Sequence, residues 1–232
     1  MKLVIMTTML ALASLGSVSA AEFTVTPKVD IESGYATSVE RMGLSIQKNS
    51  PFVGASVALE NGWVTPKVGA SYYFKAGGSQ LTILDAELSK KVSFSKSVAL
   101  TLSAGGEKRI AGGIANDAFT AFGEVRLSDF PVLTKIFSPY VVFQNDFDSR
   151  IFGYTVGVDR TFNIKSIAIT PRVEAYVYDT HTSYSAGGSI SYTGIKYVRP
   201  YVSAYYITSD AALAAHRFEN NTSVTAGVKL SF

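Results

Sequence analysis

Apolar and polar residues alternate with a period of two through most of this chain. The pattern is cleanest in the last ten residues. Val224, Ala226, Val228, Leu230 and Phe232 fall on one side of an extended segment, and Ser223, Thr225, Gly227, Lys229 and Ser231 on the other. Successive side chains on a strand point to opposite faces, so the segment predicts a two-faced β-ribbon. Residues 167–178 repeat the pattern: Ile167, Ile169, Pro171, Val173, Ala175 and Val177 oppose Thr170, Arg172, Glu174 and Tyr176. A ribbon of about ten residues is long enough to cross a hydrocarbon core at a tilt of about 45°.

The same alternation predicts twelve strands, at 23–35, 51–60, 63–74, 80–90, 98–105, 118–127, 137–146, 151–160, 167–178, 184–192, 198–208 and 223–232. Ten or fourteen strands are the alternatives, and 90–98 and 128–137 decide between them. Asn61-Gly62 is a strong two-residue hairpin signal between the second and third strands. Longer polar or Gly-rich loops are expected at 36–50, 75–79, 106–117 and 209–221.

Five segments share an apolar residue, a spacer, Pro, a spacer and Val. They are centred on Pro27, Pro66, Pro139, Pro171 and Pro200. Proline cannot donate to a ladder, so it belongs near a strand's first residues or at an edge. All five lie at the start of odd-numbered strands, which places them at one rim of a cylinder, the rim that also holds both termini. One face of the strands carries Val, Ala, Ile, Leu and aromatics, and the other carries Gly, Ser, Thr and charge. Apolar outside with polar inside is the pattern of a closed antiparallel barrel in lipid. The alternative is a secreted soluble β-sandwich, which would bury large aliphatics on its inner face.

Composition narrows the classes. Residues 1–20 read as a secretory signal, with Lys2, an apolar run and Val18-Ser19-Ala20 as a small-residue cleavage site, leaving 21–232 as the barrel. The formal charge of +3 falls to +2 when Lys2 is removed, too weak a balance to imply a nucleic-acid partner. There is no cysteine, hence no disulfide and no thiolate metal site. Beyond the signal no apolar run approaches the length of a membrane helix.

The candidate functional face is the inward one. It carries Lys28, Asp30, Glu32, Glu60, Lys67, Asp85, Glu87, Glu124, Arg126, Asp146, Asp159, Arg172, Glu174, Arg199 and Lys229, with Tyr73, Tyr176, Tyr201 and Tyr205 among them. Charges of both signs in a dry cylinder are costly unless paired, and ordinary in a wet one. About twelve strands make a barrel wider than the eight-stranded size that side chains fill. A narrow water-filled pore is therefore expected, and a barrel plugged by a salt-bridge network is the alternative. Neither sign dominates, so no strong ion selectivity is expected. The tyrosines would narrow the pore or stack on solutes.

His181 and Ser183 form a His-x-Ser pair of the kind some outer-membrane hydrolases use for acyl transfer. Tyr184 follows where that motif has Asn, and the stretch is expected in a solvated loop. His216 has no evident partner, no metal constellation occurs, and no cofactor is implied.

With the strands placed, the chain resembles the small porins of Gram-negative outer membranes. Ser33-Gly34-Tyr35, Arg41-Met42-Gly43-Leu44-Ser45, Pro51 and Gly54 are similar to the Tyr…Arg-Gly-x-Ser…Pro pattern of TorF-type porins, with an insertion before Arg41 and Met42 before Gly43. The general architecture also resembles the twelve-stranded oligosaccharide porins, whose lumen is richer in Arg. Phe232 occupies the position of the C-terminal aromatic residue that the barrel assembly machinery reads in such proteins. The resemblance implies passive diffusion of small hydrophilic solutes or ions, with outer-membrane lipid and lipopolysaccharide as surroundings. A plugged structural or adhesive barrel with partner-binding loops is the alternative, and the oligomeric state is open.

Overall fold

The computed structural model describes residues 25–41, 44–74, 80–95, 98–111, 118–130, 136–148, 150–209 and 221–232. They form β1 (Thr26–Arg41), β2 (Leu44–Glu60), β3 (Thr65–Tyr73), β4 (Leu81–Ser95), β5 (Val98–Ala111) and β6 (Ala118–Asp129). There follow β7 (Ser138–Asp146), β8 (Ile151–Asp159, resuming at Phe162–Ile164), β9 (Ile167–Tyr178), β10 (Thr182–Tyr192), β11 (Val198–Ser209) and β12 (Asn221–Ser231). Every strand pairs antiparallel with its neighbours in sequence, and β12 pairs with β1. The sheet is thereby a closed ring of twelve strands.

The seam runs from Asp30↔Ser231 to Ala36↔Thr225. It is finished by the last residue: Val29 N donates to the Phe232 carbonyl at 3.0 Å, and Phe232 N to the Val29 carbonyl at 2.9 Å. A ring has no edge strand, so its ladder donors and acceptors find partners within the sheet.

The interruption of β8 has a local cause. Arg172 faces Asp159 and Ile169 faces Phe162 in one continuous register, and pairing lapses only opposite Thr170 and Pro171. Pro171 has no N–H to give the ladder there. At the β2–β3 turn the Asn61 side-chain oxygen accepts from Trp63 N and Val64 N, both at 2.9 Å, and Gly62 sits at φ 70°. That is the turn chemistry expected of Asn-Gly, with β3 starting two residues later than the alternation predicts.

Three expected loops are shortened. The polar stretch 36–50 belongs largely to the β1–β2 hairpin, β4 runs on to Ser95, and 106–111 is the end of β5. Hairpin hydrogen bonds continue past the apolar band, where neither face needs apolar side chains. The alternation signal fades there although the strand does not.

The outward side holds the exposed apolar residues: Ile31, Val57, Val68, Leu84, Val125, Val156, Val173, Ile190, Val202 and Val228. Large exposed aromatics gather at its two margins. Trp63, Phe94, Phe137, Phe162, Tyr192, Tyr197 and Phe232 lie toward the rim holding the termini, and Phe74, Phe119, Phe152, Tyr184 and Tyr206 toward the other. An apolar band between aromatic girdles suits a bilayer, where amphipathic rings settle at the lipid–water boundary. Lys90 extends its ammonium over the Trp63 ring at 5.1 Å from the centroid, at the same margin. The outermost expectation, a strand beginning at Phe23, lies outside the described residues.

A charge placed mid-band on this face should be far costlier than one inside. Val173→Arg is expected to destabilise the barrel in lipid by ~2–4 kcal/mol, and Ser189→Arg on the interior side by much less. Reversible urea unfolding in liposomes measures both.

Candidate pore lining

Which face is concave follows from contacts that skip a strand. Arg126 Nη1 on β6 donates to Asp159 Oδ1 on β8 at 2.7 Å, and the Tyr140 hydroxyl on β7 donates to Glu174 Oε1 on β9 at 2.5 Å. Arg109 on β5 pairs with Asp146 on β7, and the Tyr201 hydroxyl on β11 donates to Glu32 on β1. Side chains two strands apart converge only inside a cylinder. The charged face is therefore the interior.

The strand phases place all fourteen expected lining residues there: Lys28, Asp30, Glu32, Lys67, Asp85, Glu87, Glu124, Arg126, Arg172, Glu174, Tyr176, Arg199, Tyr201 and Lys229. Most of the charge is organised into pairs. On β6–β9, Arg126 also holds Glu124 at 2.8 Å, Arg172 reaches Asp159 at 3.5 Å and Glu174 at 3.8 Å, and the Tyr176 hydroxyl donates to Glu174 at 2.6 Å. Nearer the seam Lys229 meets Asp30 at 2.8 Å, and at the rim Lys28 meets Glu60 at 2.7 Å. Glu107 and Arg109 are interior residues that the alternation missed, because 106–117 reads as loop. They face Asp85 and Ile83 in register.

The interior is unevenly filled, and Arg109, Asp146, Asp159 and Glu174 keep only 3–14% of their side-chain surface exposed. The side chains of Arg172 and Lys229 keep 38% of their surface exposed and that of Asp30 31%, although all three point inward. A packed core would leave them near zero. One apolar patch occupies the wall of β1–β4 away from the rim with the termini, where Ala36, Val39, Phe52, Leu81 and Ile83 pack with Tyr73 against them. Tyr73 thus lines this patch and not an open stretch of polar wall.

Tyr140 and Tyr205 lie against the wall. At Gly157 a Cβ would come within 2.6 Å of the Tyr140 hydroxyl, and at Gly187 within 2.8 Å of Tyr205 Cδ1. Each ring rests on a bare stretch of the neighbouring strand. The Arg126 guanidinium covers Tyr140 from the other side at 4.2 Å from its centroid. Glycine here lets an aromatic ring lie flat instead of crossing the cavity.

His181 and Ser183 depart from expectation. Ser183 belongs to β10, opposite Tyr176, and has no exposed surface, while His181 is 4% exposed and stacks on Tyr178 with ring centroids 4.9 Å apart. Thr180 Oγ1 lies 2.9 Å from His181 Nδ1. The solvated loop predicted for this stretch is instead a tight turn, Asp179-Thr180. Its flanking residues have parity that turns them inward. A hydroxyl with no exposed surface is closed to an ester substrate in the membrane. His216 and the Met42-Gly43 dipeptide lie outside the described residues. Among the described residues no group of three or more His, Cys, Asp or Glu is placed to hold a metal ion.

No family model matches the chain, and none of the curated proteins matches it in sequence. The likeness of 33–54 to TorF-type porins therefore rests on those motifs alone. Solved structures share the fold. A KdgM porin in complex with disordered oligogalacturonate superposes with a TM-score of 0.59 at 16% identity, over 88% of this chain and 99% of that one. The NanC porin gives 0.53 at 11% identity, over 87% and 98%. Outer membrane phospholipase A from Escherichia coli gives 0.52 at 11% identity, over 94% and 96%. The chain is thus a twelve-stranded β-barrel of the fold found in outer-membrane porins and in an outer-membrane enzyme alike.

Gly157→Ala should push the Tyr140 ring off its seat and break its bond to Glu174, a loss of ~1–3 kcal/mol. In a Tyr140→Ala background the same change should be far milder. A double-mutant cycle on unfolding free energies measures a coupling of ~0.5–3 kcal/mol if the two residues form one unit.

Proposed function

We propose that this chain is an outer-membrane porin that lets small hydrophilic solutes and ions diffuse through a polar lumen. The observation that carries this reading is the interior itself: charged side chains point inward and pair around the wall, and two of them, Arg172 and Lys229, still keep 38% of their surface free. Pairs held this way are inexpensive in water and costly in a dry core. The fold alone does not choose between transport and catalysis. The inward, buried Ser183 speaks against an acyl hydrolase.

On this reading residues 1–20 direct export and are removed, the rim bearing the termini faces the periplasm, and the apolar band contacts lipid and lipopolysaccharide. Phe232 closes the seam through its backbone while its ring, stacked on Tyr197 at 5.7 Å, stays exposed for the barrel assembly machinery. The apolar patch on β1–β4 supports a second reading, a barrel closed at its outer end whose loops serve adhesion.

Purified mature protein in a planar bilayer should show discrete conductance steps. A barrel that inserts and stays silent would favour the closed reading. Deleting Phe232 should sharply reduce the amount of protein folded into the outer membrane, read by heat-modifiable mobility on gels. Undiminished levels would remove that residue from assembly.

A further inference from the structure

The interior charges are sorted along the axis. On β1, Lys28 lies nearer the rim with the termini than Glu32 does. On β6, which runs the other way, the order in sequence reverses and Arg126 is again nearer that rim than Glu124; on β9 Arg172 precedes Glu174. Lys67, Arg199 and Lys229 are each the second or third residue from the same rim on β3, β11 and β12. A basic belt therefore lies at the terminal rim, with Glu32 facing Lys229 and Glu87 facing Lys67 at its inner edge, and an acidic belt continues beyond it through Asp85, Glu107, Glu124 and Glu174. The sign order follows strand direction, so it is a property of the barrel and not of a repeated sequence motif.

The two belts are unequally neutralised. Lys28, Arg126, Arg172 and Lys229 are all held by carboxylates, with Glu60 and Asp159 set among them as partners. Farther from the rim Arg109 is held by Asp146. Among the described residues Glu32, Asp85 and Glu87 have no ion-pair partner, and Glu32 only accepts from Tyr201. Asp85 also faces Glu107 directly across the β4–β5 ladder. The free basic groups, Lys67 and Arg199, sit at the rim. Low-dielectric walls focus the field of such a belt onto whatever passes through it.

Resting on the porin reading, we propose that the acidic belt sets the solute class: the pore favours cations and neutral or amino-bearing hydrophilic solutes and disfavours polyanions. An acidic sugar chain, such as the oligogalacturonate in complex with the KdgM porin, would find the lumen's cationic groups beyond the rim held by carboxylates and the free carboxylates repelling it.

The test is the reversal potential of the mature barrel under a potassium chloride gradient, with liposome swelling in glucosamine, glucose and glucuronate. Cation preference is expected, with glucosamine and glucose entering faster than glucuronate. The Asp85→Asn/Glu87→Gln double variant should lower the cation-to-anion permeability ratio roughly two-fold or more. Lys67→Gln should raise it. A conducting barrel that prefers anions, or a ratio that the double variant leaves unmoved, overturns the inference while the porin reading stands. A silent, properly folded barrel overturns both.

Discussion

The pairing of β12 with β1 is the interaction on which the rest of the structure depends. A bilayer offers no water to an unpaired N–H or C=O, at a cost of several kcal/mol per group. Twelve strands therefore either close or do not persist in lipid. The chain meets this condition with its final residue, whose N–H and C=O both bond to Val29. Where the ladder is locally interrupted, the cause is a residue that cannot donate, Pro171, and the strand resumes in register beyond it. The prolines of the repeat are tolerated because they lie close to a rim, where few ladder bonds remain to be lost.

Closure fixes what each side of the wall meets, and the two sides follow different rules. Outside, the energetic demand is for apolar surface, and Val, Ile, Leu and Ala supply it with aromatics at the margins. Inside, the demand is for polar groups that pair without filling the space. The skipped-strand contacts answer it. Arg126 and Arg172 both bind Asp159 around the curve of the wall, and Tyr140 is held between Glu174 and the Arg126 guanidinium. Tyr140 lies on Gly157, so a bulky ring strengthens the wall without crossing the cavity. The same economy leaves Asp85 facing the lumen between Gly69 and Glu107, with no cation opposite it.

Strand number, phase and the inward set were legible because a period-two pattern is imposed wherever one face meets lipid and the other water. Val173 and Glu174 are distinguishable for that reason alone. The pattern lapses where the barrel rises past the apolar band. Glu107, Arg109 and the extension of β1 to Arg41 accordingly carry no strand signal. His181 and Ser183 differ from expectation on the same ground: a two-residue turn between polar strand ends resembles a loop until pairing assigns its parity. Which charges neutralise which was not legible. Arg126 and Asp159 are 33 residues apart, and only curvature brings them together across an intervening strand.

On the porin reading, one wall separates lipid from a water-filled interior, residue by residue. The chain contains no cysteine, so single cysteines report cleanly. The direct measurement is the labelling rate of Ser189→Cys, Ile190→Cys, Thr225→Cys and Ala226→Cys in liposomes by a membrane-impermeant thiol reagent. Fast labelling at 189 and 225 with protection at 190 and 226 is the expected result. Equal rates at neighbouring positions, or the reverse alternation, would contradict it.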